Sequence, residues 1–373
     1  MATLVLAGAG HAHLPILTNI PEFVRRGHCV TVIGADDFHY YSGMGPGLLS
    51  GDYRPEHTRF DVATLTRRGG GTFVRDRVTG IDPGTRKVHT ENSGWIDYDV
   101  LSCNLGSSVC LPTGEFDKDR VFTVKPIENL DKFRRSVQAT DRNLLVVGGG
   151  AAGAEIAANL GCWLSGSGHS AHVDLIAGNV FLADFPAGIR HRVERTLDAL
   201  PVRLHAGERL AKLERGQAIL ESGLALPYDR ALLATGVTPP LLFAEADLPT
   251  GQDGGLLVNR FLQAIDHPEI FGGGDCISFA DRHLARVGVY AVRQGPVLLR
   301  NLLAALEGEQ LTPFRPQNHF LLIFNLGRQQ GLLRWHSLTW SGRIPFLIKD
   351  YIDRRFMQEY QRCGETNQPH SSS

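Results

Sequence analysis

Cysteine is scarce and scattered. The 373-residue chain has six, at Cys29, Cys103, Cys110, Cys162, Cys276 and Cys363, and no two form a C-x-x-C or C-x-x-x-x-C pair. That excludes a small disulfide scaffold and predicts reduced thiols. An excess of either charge is also missing. Lys and Arg number 38 against 39 Asp and Glu, a net charge of −1, so nothing indicates a nucleic-acid partner. No apolar run approaches the ~20 residues that span a bilayer. The N-terminus, MATLVLAGAG, opens on a strand pattern without a basic, cleavable leader. These absences predict a soluble, cytoplasmic chain that is at most peripheral on the inner face of a membrane. Glycine is plentiful, at 42 residues, and much of it clusters just after apolar runs. Phosphate-binding turns have that placement, whereas low-complexity segments do not.

The length suits two or three domains. Thr3 to Leu6 reads as a buried strand, Gly8-Ala9-Gly10 as a turn, the next segment as a helix to about Arg26, and Cys29–Ile33 as a strand. Tyr98–Asn104 is another buried strand, ending at Gly106. The pattern restarts with Leu144–Val147, Gly148–Gly153, a helix over Ala154–Ser165 and a strand over Val173–Ala177. A third strand-then-glycine unit, Ile270–Asp275, precedes a helix from about Val287 to Leu306. Beyond Pro313 come strands to about Leu338 and an amphipathic helix over residues 344–361. Residues 364–373 read as disordered.

The second turn carries the stronger motif. Gly148, Gly150 and Gly153 form G-x-G-x-x-G between a strand and a helix. Gly148 permits the tight turn, Gly150 lets backbone approach a pyrophosphate, and Gly153 lets the helix pack close, so that its N-terminal N–H groups meet the phosphates. The following strand ends at Ala177, where an acid would hold a ribose hydroxyl or an arginine a 2′-phosphate. Neither nicotinamide cofactor is therefore specified. The first turn keeps Gly8 and Gly10 but places His13 in the third position. His11 and His13 suggest a metal, yet no third ligand is near, so no metal is expected. Two further strands end in glycine motifs: Ala234-Thr235-Gly236-Val237-Thr238-Pro239, and Gly274-Asp275.

With these residues in order, the chain resembles the FAD-dependent pyridine nucleotide-disulfide oxidoreductase superfamily, in its type II NADH dehydrogenase and sulfide:quinone oxidoreductase branch. It is closest to flavoproteins associated with selenide, water dikinase. The segments that carry the resemblance are GAGHAHL (8–14), YSGMGPGLLSGDY (41–53), YDVLSCNLGS (98–107), GVYAVRQGPVLLRNL (288–302) and IKDYIDRRFM (348–357). In that group His13 is expected in the glycine position. The resemblance implies an α/β fold of two Rossmann-like dinucleotide-binding domains, the FAD domain (1–110 and 240–310) interrupted by the NAD(P)H domain (111–239). A C-terminal strand-and-helix region (311–363) follows. It implies FAD held by Gly8, Gly10, His11, His13, Gly106, Asp275 and Gln294. The Ser42–Pro46 loop would lie near the isoalloxazine ring and Val78 by the adenine. NAD(P)H would lie on Gly148, Gly150, Gly153 and Gly236. Glu155 falls where nicotinamide and flavin meet in such enzymes, or is simply a carboxylate favoured at a helix N-terminus.

The departures narrow the chemistry. No cysteine lies in Tyr40–Ser50, which excludes the disulfide reductases. Cys103 reads as an inert thiol in a strand, so sulfide:quinone chemistry is the weaker alternative. The quinone-segment glutamines of type II dehydrogenases are missing from Gly288–Arg293, although a quinone stays the expected acceptor. Another alternative is a redox-responsive binding flavoprotein of the apoptosis-inducing-factor kind. In the tail, Ile344, Leu347, Ile348, Tyr351, Ile352 and Phe356 recur at helical spacing beside Lys349, Arg354 and Arg355. Such a helix either lies on a bilayer surface or packs on the FAD domain. Lys125 reads as a surface lysine at the inter-domain crossing.

Overall fold

The computed structural model describes residues 1–361. Cys363 and the 364–373 tail lie outside the described residues, as does the end of the 311–363 region. Two main sheets, one mixed and one all-parallel, each have their own apolar core. The larger has eight strands in the spatial order Ile277–Phe279, Leu256–Val258, Gln263–Ala264, His267–Gly272, Val100–Cys103, Thr3–Ala7, Cys29–Gly34 and Thr72–Arg75. Its central members pair in parallel: Thr3–Ala7 lies between Cys29–Gly34 and Val100–Cys103, and the latter pairs with His267–Gly272. Leu4, Val5, Leu6 and Ala7 are all buried, as a strand covered on both faces requires. Residues from both ends of the sequence thus share one sheet. Between them, Val121–Thr123, Arg230–Leu233, Asn143–Val147, His172–Ile176 and Val202–His205 build a five-stranded, all-parallel sheet.

The chain leaves a strand in each sheet, turns on glycine and enters a helix. The helix expected to run unbroken to Arg26 is a 3-10 turn over His11–His13 followed by short helices Leu14–Thr18 and Ile20–Arg25. Pro15 and Pro21 each open one of the two. Proline has no N–H to donate into a preceding turn, so Pro21 restarts the helix beyond Asn19. The later helix, Gly288–Glu307, has the expected extent.

The C-terminal region is a three-stranded antiparallel sheet, Leu322–Asn325, Gly331–Trp335 and Leu338–Gly342, followed by the helix Arg343–Gln361. It joins both cores. Phe324, Leu326 and Leu332 belong to the core of the five-stranded sheet, and Met357 and Tyr360 to that of the eight-stranded sheet. The helix therefore packs on the protein with one face, through Phe346, Asp353, Met357 and Tyr360. Ile344, Leu347, Tyr351 and Ile352 are exposed on the other.

Candidate functional site

In the first turn, Gly8 adopts φ +88°, and a Cβ there would lie 2.3 Å from the Asn104 carbonyl oxygen. A Cβ on Gly10 would lie 2.6 Å from the Asn104 side chain. Both glycines are needed because the turn is pressed against the end of Val100–Cys103. His13 is buried, with its Nδ1 2.6 Å from the Gly8 carbonyl and its Nε2 2.9 Å from Ser102 Oγ. It ties the turn to the neighbouring strand, which explains a histidine in a glycine position. His11 points elsewhere. Its Nδ1 is 3.0 Å from His39 Nε2, and its Nε2 accepts from the Ser42 N–H at 3.4 Å. Burial pulls His11 and His13 down to about 4, with Lys125 adding to the effect at His11, so both are neutral imidazoles at pH 7. Among the described residues, no group of three or more His, Cys, Asp and Glu side chains could hold a metal ion.

Around this turn, Gly106 stands at φ +70° with open space where its Cβ would be, and a Cβ on Gly288 would be 3.4 Å from Ser42 Oγ. Ser42 thus meets the N-terminus of the Gly288–Glu307 helix. Pro46 is buried in the short helix Gly45–Ser50, which packs against Ala151–Ser167. The buried Gln294 accepts the Gly274 N–H at 2.7 Å and so fixes the turn before Asp275. Val78 opens a separate antiparallel sheet and pairs with Thr90.

Lys125, expected as a surface residue, is an ion-pair partner. Its ammonium donates to Asp275 and, at 2.9 Å, to Ser107 Oγ, which itself donates to Asp275 at 3.1 Å. No local signal marks this pair, because 150 residues separate its members.

The turn fits a dinucleotide. Asn104 Nδ2 is buried with no partner, against Gly10 and Gly274, where a Cβ on either would lie 2.6 Å from the Asn104 amide. An orphaned buried donor beside a bare glycine turn is what a polar cofactor would satisfy. Asn104 was not among the expected binding residues, although it lies inside the YDVLSCNLGS segment.

The second turn is built more tightly. A Cβ on Gly148 would lie 2.3 Å from the Ala234 oxygen, and one on Gly153 1.9 Å from the Gly148 oxygen. Gly149 is equally constrained, at 1.7 Å from the Ala177 oxygen, and was overlooked as a variable position of the motif. Gly150 caps the helix Ala151–Ser167 with open space around it, and Gly236, at φ +96°, is open too. These are cradles where a Cβ would intrude on a ligand. Ala177 is buried at the strand end and offers no charge to a ribose.

Glu155 lies just past the first turn of that helix, where the C-terminal region docks. Its Oε1 accepts the Asn325 N–H at 2.6 Å, while Asn159 donates to the Asn325 carbonyl at 2.9 Å. Desolvation pushes the Glu155 carboxyl up to about 7, against the opposing pull of Lys349 and the Asn325 hydrogen bond. Lys349, on the helix read as lying on a bilayer or packing on the FAD domain, turns inward and donates to Asp353 Oδ2 and to the Gly43 carbonyl, both at 2.7 Å. Tyr41 donates to Asp353 Oδ1 at 3.2 Å. A carboxyl, an ammonium, a carboxylate and a phenol thus meet where the second glycine-turn helix, the 41–44 loop and the C-terminal helix converge. Asp353 and Tyr41 were missed. The signal was the i, i+4 spacing of Lys349 and Asp353 on one helix face.

A profile of pyridine nucleotide-disulphide oxidoreductases matches residues 2–295. The chain is 26% identical over 312 residues to ferroptosis suppressor protein 1 of Taeniopygia guttata, covering 80% of each. It is 23% identical to type II NADH:quinone oxidoreductase of Staphylococcus saprophyticus, covering 94% of each. Among solved structures, sulfide:quinone oxidoreductase of Aquifex aeolicus shares the fold with a TM-score of 0.80 at 16% identity, covering 98% of this chain and 92% of that one. NDH2 of Plasmodium falciparum, solved with NADH, gives a TM-score of 0.79 at 13% identity, covering 95% and 96%.

Proposed function

This chain belongs to the pyridine nucleotide-disulphide oxidoreductase family, and on that premise we propose that it oxidises NAD(P)H through FAD and reduces a quinone. The observation that carries the reading is the pair of glycine turns, each closing a parallel strand and opening a helix. We assign FAD to the turn at Gly8, Gly10 and His13, with Asn104, Gly106 and Asp275. NAD(P)H goes to Gly148, Gly150, Gly153 and Gly236. Residues 1–110 and 240–310 are then the FAD domain and 111–239 the NAD(P)H domain. When bound, FAD accepts a hydride from NAD(P)H and yields two electrons to the second substrate.

The protein positions both molecules and manages the protons. NAD(P)H, one proton and a quinone become NAD(P)+ and a quinol, so one proton must come from outside the hydride. Glu155 is suited to hold it, because its carboxyl is tuned close to neutrality and lies within electrostatic reach of Lys349. Lys125 and Ser107 hold Asp275 in place. Gly288 opens its helix against Ser42, so the positive end of that helix faces the proposed ring site.

Sulfur chemistry is disfavoured at the three buried cysteines. Cys103, Cys162 and Cys276 are buried, and burial pushes the Cys162 and Cys276 thiols up to about 11 and about 12 and Cys103 well above its usual value. Such thiols are poor nucleophiles at neutral pH.

A quinone dissolved in lipid calls for contact with a bilayer. No helix among the described residues is long and apolar enough to cross one. Ile344, Leu347, Tyr351 and Ile352, together with Leu338 and Trp340 of the adjoining strand, instead form exposed apolar groups on the C-terminal region. We assign them to shallow contact with the membrane surface. Flotation of Leu347→Asp/Ile352→Asp on anionic liposomes tests this better than truncation, because Met357 and Tyr360 of the same helix are core residues.

Stopped-flow absorbance tests the reaction. NADH or NADPH should bleach the flavin band rapidly, and a ubiquinone or menaquinone analogue should restore it. A long-lived charge-transfer band with negligible turnover would instead make this a redox-responsive binding protein, and bleaching by sulfide alone would overturn both readings.

A further inference from the structure

A cleft of about 350 Å³ opens at the far edge of the eight-stranded sheet, and no glycine-turn residue lines it. Three of its lining residues are arginines, Arg260, Arg282 and Arg315, against one carboxylate, Asp281. Arg282 spends its terminal nitrogens on neutral acceptors: Asn318 Oδ1 at 2.6 Å and the Pro316 and Gln317 carbonyls, both at 2.8 Å. Its Nε is shut from solvent with no partner. Among the described residues, none of the three arginines has an ion-pair partner. The buried Arg282 Nε is a donor without an acceptor, which an anion can satisfy, and Arg260 and Arg315 stand exposed beside it.

The cleft is also held rigid. Phe279 and Phe314 line it, meeting edge to face at 5.8 Å with both rings buried. Phe314 N–H donates to the Arg260 carbonyl at 2.7 Å. Behind them the fully buried Asn301 clamps both lips. It donates to the Phe261 carbonyl at 2.7 Å and the Thr312 carbonyl at 2.9 Å, and accepts the Thr312 N–H at 2.7 Å. The arginine-bearing segments are therefore fixed before any ligand arrives.

We propose that this cleft binds an organic phosphate. Arg260 and Arg315 grip the dianionic group beside Arg282, and a flat apolar portion rests on the aromatic and proline wall. Planar guanidinium groups match a phosphate with two parallel hydrogen bonds each. Phe279 also lines a small cavity with Asp275 and Gln294, so the ligand would sit one ring away from the proposed flavin pocket. The site does not depend on what accepts the electrons.

Calorimetric titration of phenyl phosphate into the FAD-loaded protein tests the proposal, with NAD+, which carries no phosphate monoester, present at saturation to fill the other phosphate-binding turn. Saturable binding is expected. Arg260→Ala/Arg315→Ala should weaken it at least ~10-fold, since each removes a charged hydrogen-bonding group. Flavin content and melting temperature should stay unchanged, because both side chains are exposed. Arg315→Glu serves as an independent second variant with the same expected loss. Absence of saturable binding at millimolar phenyl phosphate, or binding that these variants leave intact, overturns the proposal.

Discussion

The two glycine turns solve one problem with different chemistry. In the second, the third motif position must be glycine, because a Cβ on Gly153 would lie 1.9 Å from the Gly148 oxygen. In the first, that position holds His13, whose ring hydrogen-bonds with the Gly8 carbonyl and with Ser102. One turn is closed by the absence of a side chain and the other by a side chain that pins it to the next strand. A fingerprint therefore records what its turn packs against as much as what it binds.

The largest expected effect comes from breaking either turn and asking which cofactor is lost. Gly8→Ala adds a Cβ 2.3 Å from the Asn104 carbonyl at φ +88°. The purified protein should then lack flavin, as read from the ratio of absorbance at the flavin band to that of protein. Gly153→Ala should keep its flavin but raise KM for NAD(P)H at least ~10-fold, since the helix N-terminus can no longer close on the phosphates. Loss of flavin in Gly153→Ala, or retention in Gly8→Ala, would reverse the assignment of the two turns.

His13 sharpens the same contrast. His13→Gly writes the standard motif into the first turn, and it should still destabilise the protein, by about 1–3 kcal/mol, because Ser102 loses its partner in a buried site. Chemical denaturation measures this, and a more stable variant would show that the histidine is a relic of something other than packing.

Much of this contrast was legible in the sequence. The strand-glycine-helix order marked both turns and Asp275, and the short apolar strand read at Thr3–Leu6 stands at the centre of the larger sheet. What stayed hidden depended on pairs distant in sequence. Lys125 meets Asp275 and Lys349 meets Gly43 only after the two sheets have folded against each other. The direction of the C-terminal helix was equally obscure. Most of the apolar stripe read on it, Ile344, Leu347, Tyr351 and Ile352, faces outward, and only the register against the two cores makes Met357 internal and Ile352 external. The helix Ala187–Asp198 was overlooked because it is largely polar, although Ile189, Val193 and Leu197 stand four apart and are all buried.

The turns also differ in their response to pH. Near the first, His11 and His13 sit at about 4, below their unfolded value of 6.5. Between those values the unfolded chain binds protons that the folded chain refuses, so this contribution to stability is present above pH 6.5 and lost as pH falls toward 4. Beside the second, Glu155 sits at about 7, above its unfolded 4.5. Here the folded chain holds the extra proton, so the contribution is full below pH 4.5 and lost as pH rises through 7. Glu155→Gln should remove that second, smaller loss and flatten the limb near pH 7 in the rate of quinone-dependent reoxidation. A limb that survives the substitution would move the proton to another group.

The smallest expected effect concerns Ala177, the one place where the better-formed turn is the less specific. An acid here would accept a ribose hydroxyl and repel a 2′-phosphate. Ala177→Asp should therefore shift the ratio of kcat/KM toward NADH over NADPH by roughly 10-fold, the size of one hydrogen bond to a charged group. The outcome depends on how the native turn holds the adenosine end. Gly178 N–H donates to the Glu208 carbonyl at 2.8 Å, and the Glu208 carboxylate accepts from Ser222 at 2.8 Å, which places one acid in the loop after the strand Val202–His205, bridged to Gly178. If Glu208 already serves the ribose, Ala177→Asp will leave the ratio unchanged and Glu208→Gln will lower it. The comparison of the two turns would then end differently, with the acid supplied from the loop bridged to Gly178 in the second.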